Sequence, residues 1–192
     1  MKLVILDRDG VINFDSEGFI KHPDEWRPIP GSLDAIARLT QDGWRVVVAT
    51  NQSGIGRGLF DMATFNAINA KMHKAVNQTG GRIEAVFYCP DTDESHSPCR
   101  KPNAGMFFAI AERLNVSLER APAVGDSLRD LQAAVSAGAR AILVLTGTGG
   151  QTRAAGGPPG CTEVRPDLAA VAWMLCPCFF SGRSFSSFRR LS

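Results

Sequence analysis

Short runs of consecutive apolar residues alternate along the chain with longer segments whose apolar positions recur every three or four residues. The first kind reads as buried strand and the second as amphipathic helix. Strands are expected at Leu3–Leu6, at Arg45–Ala49 around Val46-Val47-Val48, at Ile83–Tyr88, at Pro122–Gly125 and at Ala141–Leu145. Pro30-Gly31-Ser32 opens a helix to about Gln41, striped by Leu33, Ile36, Ala37 and Leu39 and stopped by Gly43. Asp61 reads as the N-cap of a helix to about Gln78, with Phe65, Ile68, Met72 and Val76 on one face. Further helices are expected at Ala104–Leu114, Leu128–Ala137 and Pro166–Leu175. Strand then helix, five times over, predicts an α/β fold: a three-layer sandwich with a mostly parallel central sheet.

The glycine-rich stretch from Gly147 to Gly160 predicts a mobile loop. Periodicity stops after Leu175, so residues 1–175 are expected to form one domain and residues 176–192 a tail outside it. A chain of 192 residues suits a single core. Its net charge of +2, without a long basic run before residue 180, gives no sign of nucleic-acid binding. No apolar stretch is long enough to span a bilayer, so no membrane role is expected. The start lacks the zones of a signal peptide, and five cysteines form no regular framework. Both point to a reducing cytoplasm, with a monomer as the default.

Polar clusters follow four of these strands. Asp7-Arg8-Asp9-Gly10 follows the first, and two carboxylates so close call for a proton or a hard cation. Thr50-Asn51-Gln52-Ser53-Gly54 follows the second and offers several donors to one phosphate. Arg100-Lys101-Pro102 places two cations before a helix, and Gly125-Asp126-Ser127-Leu128-Arg129-Asp130 sets two aspartates four apart at a helix start. Each cluster alone reads sooner as a turn, a cap or a solvated surface than as a site. Their joint occurrence at strand ends of one sheet favours a phosphoryl-transfer site.

Taken together, Leu6-Asp7-Arg8-Asp9-Gly10, Thr50-Asn51-Gln52-Ser53-Gly54, Cys99-Arg100-Lys101-Pro102 and Gly125-Asp126-Ser127 resemble the haloacid dehalogenase superfamily of phosphohydrolases. Within it, the resemblance is to the subgroup of heptose bisphosphate and histidinol phosphate phosphatases, over about Met1 to Leu175. It implies a Rossmann-like sheet. The spacing between motifs leaves no room for a large cap domain. It also implies a two-step reaction with Asp7 as nucleophile, Asp9 as acid and base, and Thr50 and Lys101 stabilising the transferring phosphoryl group. Mg²⁺ would be held by Asp7, Asp126 and the main-chain carbonyl of Asp9, with Asp130 orienting Lys101 or metal-bound water. Substrate contacts would come from Arg8, Asn51, Gln52, Ser53, Arg100 and Ser127, and from the loop Asp15-Ser16-Glu17-Gly18.

The implied substrate is a small sugar bisphosphate: the 7-phosphate of a heptose 1,7-bisphosphate, in nucleotide-heptose and lipopolysaccharide core synthesis. Histidinol phosphate is the alternative. From a different class, a receiver-type signalling domain would keep its phosphoaspartate, and Asp9 argues against that. A binding protein that has lost its chemistry is disfavoured by the full set of motifs. Many relatives carry a zinc loop of the form Cys-x-His, spacer, Cys-x-Cys before Arg-Lys-Pro. Here Asp91 and Ser97 replace two ligands, which leaves Cys89, Asp91, His96 and Cys99 as a weak zinc set against a metal-free loop with reduced cysteines.

Overall fold

The apolar runs lie side by side. In the computed structural model, which describes residues 2–156 and 163–177, six strands form one sheet: β1 (Lys2–Leu6), β2 (Trp44–Asn51), β3 (Ala85–Cys89), β4 (Pro122–Gly125), β5 (Arg140–Val144) and β6 (Glu163–Arg165). The order is β3-β2-β1-β4-β5-β6 and every pairing is parallel. The chain winds outward from β1 in one direction and from β4 in the other. The crevice beyond the carboxyl ends of β1 and β4 is therefore the topological switch point, where such sheets bind ligands.

The helices are α1 (Ser32–Gln41), α2 (Ser53–Gly56), α3 (Met62–Gln78), α4 (Gly105–Leu114), α5 (Leu128–Ser136), α6 (Gly149–Ala154) and α7 (Leu168–Leu175). Successive strand residues point to opposite faces, and each face has its own core. Val4, Leu6, Val46 and Val48 meet Ile36, Leu39, Ile68, Met72 and Val171 of α1, α3 and α7. Leu3, Ile5, Val47 and Leu143 meet Phe107, Ile110 and Leu131 of α4 and α5. Each such fully buried aliphatic side chain contributes about 1.5–3 kcal/mol of transfer free energy. The segment between β1 and α1 holds one 3₁₀ turn, Pro23–Glu25, and no inserted domain. Its Trp26 is buried in the first core.

Helix starts follow local chemistry. The Asp61 carboxylate accepts from the Thr64 N–H at 2.8 Å, as an N-cap should. Ser127 precedes α5, and its N–H and hydroxyl both donate to Asp130 at 3.0 and 2.6 Å.

Three expectations need correction. The stretch expected to be a mobile loop contains α6, and β6 follows it as a sixth strand; residues 157–160 of that stretch lie outside the described part. Thr152 of α6 donates to the Asp126 carbonyl at 2.9 Å, a tertiary tie that the glycine content did not reveal. The core also passes the expected boundary at Leu175, because Cys176 is fully buried in the first cluster. The remainder of the expected tail from residue 178 lies outside the described residues. Strand β3 begins two residues later than expected, although Ile83 is still buried. Among the described residues, no helix is long and apolar enough to cross a membrane.

Candidate active site

A cavity of about 450 Å³ opens over the carboxyl edge of the sheet. Asp7, the residue after β1, sits at its floor, tied to β4 by its N–H to the Val124 carbonyl at 2.9 Å. Its Oδ1 accepts from the Arg8 N–H at 2.7 Å and lies 3.0 Å from Lys101 Nζ. Lys101 is buried; its ammonium also lies 2.6 Å from Asp130 Oδ1 and donates to the Ala49 carbonyl at 2.8 Å. Asn51 clamps the Lys101 main chain from both sides, donating to its carbonyl at 3.0 Å and accepting from its N–H at 3.1 Å. Asn51, expected at the substrate, thus also fixes the lysine.

Oxygens of Asp7, Asp126 and Asp130 lie within 4.8 Å of one another. Burial, with the charges of Asp130, Asp126 and Asp9, raises the Asp7 carboxyl well above the usual range, although Lys101 opposes this. Burial and then Asp130 push Asp126 up to about 6. Burial works against the Lys101 charge, but attraction to Asp130 and Asp7 outweighs it and holds the ammonium above its ordinary value. Asp130 is held below the carboxylate range despite burial, by Lys101 and by its bonds from Ser127. The pocket therefore concentrates more negative charge than Lys101 offsets, and that donor set fits a hard divalent cation. Both Asp130 oxygens are taken, Oδ1 by Lys101 and Oδ2 by Ser127, which leaves Asp7 and Asp126 as the side chains for such an ion.

Asp126 is itself gripped from the segment after β5. The Thr148 N–H and hydroxyl donate to its Oδ2 at 2.6 and 2.9 Å. Gly10 and Gly147 flank it, both at positive φ; a Cβ on either would stand 2.3 or 2.2 Å from Asp126 Oδ2. Thr148 was missed in the sequence, although the strand-end rule applied to β5 would have found it.

Both Asp9 oxygens are taken by donors. Arg8 grips them in a fork at 3.1 and 3.0 Å, Asn13 donates at 2.8 Å and Gln52 at 2.9 Å. Gln52 also donates to the hydroxyl of the buried Thr50 at 2.9 Å. Arg8 and Gln52, expected to contact substrate, therefore act first on Asp9, and the Arg8 side chain is buried. Asn13 was missed; its place four residues after Asp9, in a turn without periodicity, carries no sequence signal.

Asp15, Ser16, Glu17, Ser53, Arg100 and Ser127 line the cavity as expected sites, but Gly18 does not. Burial and the nearby Asp9 raise the Asp15 carboxyl. Arg57, Asp93 and Arg129 also line it, and none had been singled out. In the cysteine loop, Cys89 and Cys99 are joined as a disulfide, which corrects the expectation of reduced thiols. Asp91 lies against both sulfurs at 3.6 Å, with Ser97 beside them. His96 falls outside this group and is exposed, so the four-residue zinc set does not assemble.

Comparison with known proteins finds close relatives of nearly the whole chain. A family model described as polynucleotide kinase 3 phosphatase matches residues 2–132, and a HAD-hydrolase-like model matches residues 98–171. A D-glycero-beta-D-manno-heptose-1,7-bisphosphate 7-phosphatase of Bordetella bronchiseptica is 60% identical over 175 residues, covering 91% of this chain and 98% of the relative. The Pseudomonas putida protein of that name is 51% identical, covering 90% and 98%. A crystal structure of the B. bronchiseptica D,D-heptose 1,7-bisphosphate phosphatase, complexed with magnesium and phosphate, superposes with a TM-score of 0.91 at 59% identity, covering 92% of this chain and 99% of that one.

Proposed function

The chain belongs to the haloacid dehalogenase-like hydrolases, and from that premise we propose that it removes the 7-phosphate of D-glycero-D-manno-heptose 1,7-bisphosphate by a Mg²⁺-dependent reaction, releasing the 1-phosphate. It is a phosphoric monoester hydrolase. The observation that carries the reading is the meeting of Asp7, Lys101 and Asp126 at the switch point of the sheet, under a cavity sized for a small sugar phosphate. The relatives named above carry the β-anomer in their names, and we extend that preference to this chain.

Asp7 attacks phosphorus in line and forms an aspartyl-phosphate while the bond to the sugar oxygen breaks. Asp9 gives its proton to that leaving oxygen, then takes one from the water that hydrolyses the intermediate and frees Asp7. Because its carboxylate is held by Arg8, Asn13 and Gln52, Asp9 must turn from at least one of these donors to reach the sugar oxygen. Thr50 and Lys101 face the phosphoryl oxygens, with Lys101 fixed by Asp130 and Asn51. Asp7, Asp126 and the Asp9 carbonyl would hold Mg²⁺, which neutralises charge as a carboxylate approaches a phosphate dianion.

The reading includes a monomer working in the cytoplasm on a diffusible substrate, and a domain that ends just past Leu175, with Cys176 in its core. The test is phosphate release from heptose 1,7-bisphosphate, with the product assigned by ³¹P NMR. Release should require Mg²⁺, yield the 1-phosphate and vanish in Asp7→Asn. Faster release from histidinol phosphate, or release without Mg²⁺, would overturn it.

A further inference from the structure

Arg100 presents a problem that the proposed reaction does not solve. It is expected to recognise the far end of the substrate, yet its guanidinium is already engaged. Nε and Nη2 reach Asp93 Oδ1 at 2.7 and 2.5 Å, and Nη1 donates to the Asp91 carbonyl at 3.1 Å. The two partners differ sharply in burial: the Arg100 side chain is 7% exposed and that of Asp93 is 63% exposed. A guanidinium so buried needs an anion at all times, because breaking a buried pair leaves an uncompensated charge. The carboxylate, by contrast, regains its hydration almost fully when it lets go.

Asp93 also answers to more than one cation. The Arg100 hydrogen bond, followed by the charges of Arg100, Arg129 and Arg57, holds its carboxyl below the ordinary range. All four residues line the cavity that holds Asp7. Among the described residues Arg57 pairs only with the exposed Glu94, at 3.8 Å, and Arg129 makes no ion pair. An arginine-rich wall thus lines the cavity above Asp7, with one exposed carboxylate standing where an anion would go.

We propose that Asp93 is a built-in stand-in for the distal phosphate of the substrate, keeping Arg100 paired between turnovers and yielding to that phosphate when a bisphosphate enters, with Arg129 completing the distal anion site. This rests on the sugar-bisphosphate reading. A phosphate dianion brings more charge and more acceptor oxygens to a guanidinium fork than one carboxylate does, so it wins the exchange. A monophosphate has nothing to offer Arg100 and meets the Arg100–Asp93 pair unopened. Asp93 therefore costs the bisphosphate alone part of its binding, and so tempers the preference for two phosphates without touching the reacting atoms.

The readout is the ratio of kcat/KM for heptose 1,7-bisphosphate to kcat/KM for heptose 7-phosphate. Asp93→Asn removes the competing charge and should raise this ratio about threefold to tenfold, through KM for the bisphosphate, the range expected for one half-exposed ion pair. Arg129→Ala should lower the ratio by a similar factor. In an Arg100→Ala background, Asp93→Asn should change nothing further. Equal losses on both substrates in Asp93→Asn would show that Asp93 only anchors its loop, and would overturn the proposal, as would a full Asp93→Asn effect without Arg100. Repeating the comparison with fructose 1,6-bisphosphate and fructose 6-phosphate separates the two readings. A ratio shift there alone would sink the heptose assignment and keep the stand-in.

Discussion

The buried acidic cluster makes a prediction about stability whose sign is set by the fold. In metal-free protein the Asp126 carboxyl is pushed up to about 6 from 3.8, first by burial and then by Asp130. Between those two values the folded state binds more protons than the unfolded chain. Stability from this group is therefore complete below 3.8 and lost as pH rises through about 6. Two pK units at 1.36 kcal/mol each set a ceiling of about 3 kcal/mol, or roughly 6–12 °C in Tm for a domain of this size. Mg²⁺ reverses the sign, since its ligands must be ionised and it binds only the folded state. The assay is thermal unfolding from about pH 5 to about pH 7.5, in EDTA and in Mg²⁺. It is read as wild type minus Asp126→Asn, so that other titrating groups cancel. The asparagine still accepts from the Thr148 N–H, so the control keeps the local geometry. In EDTA the difference should fall with rising pH, and in Mg²⁺ it should climb. A flat difference in EDTA, or the same slope in both, would refute the claim that Asp126 sits in an under-compensated cation site.

Asn13→Ala removes one of the donors that position Asp9, and the loss should follow the need for an acid: about tenfold or more in kcat for the sugar phosphate, and far less for p-nitrophenyl phosphate, whose leaving group departs unaided. Equal losses on both would assign Asn13 a purely structural role. Gly147→Ala places a methyl 2.2 Å from Asp126 Oδ2 and 2.6 Å from Gly10 Cα at a φ of +56°, so Mg²⁺ affinity by titration should fall at least tenfold, with about 1–3 kcal/mol of stability lost. Lys101→Ala strands Asp7 and Asp130 without their cation; kcat should drop by about two orders of magnitude or more, and metal-free stability by about 3–5 kcal/mol, less where Mg²⁺ is present. An unchanged Tm in EDTA would show that the two carboxylates do not depend on it.

Much of this site was readable before any coordinates. Asp7, Asp9, Thr50 and Asp126 lie at or just after strand ends, Asp130 in the first turn of the helix after β4 and Lys101 beyond the long loop after β3, and parallel strands put those ends at one edge. The elements that escaped notice are short ones. Helix α2 has four residues, α6 begins with Gly149-Gly150, and β6 has three residues, too few to show a period. Their consequence is not small, because the turn into α6 places Thr148 on Asp126.

What the sequence determined by itself is the alternation of strand and helix, the parallel sheet that follows, and the set of chemical groups along its edge. Those depend on neighbours in the chain, on helix and strand periods and on burial of apolar faces. Only the tertiary structure decided how the groups pair: Asp130 with Lys101, Asn51 with the lysine main chain, Arg8, Asn13 and Gln52 with Asp9, and Asp93 with Arg100. The hydroxyl of Thr146 meets the carbonyl of Gly10 across 136 residues of chain. No local pattern encodes such a meeting, because a hydrogen bond forms only where loops from separate strands bring a donor within about 3 Å of an acceptor.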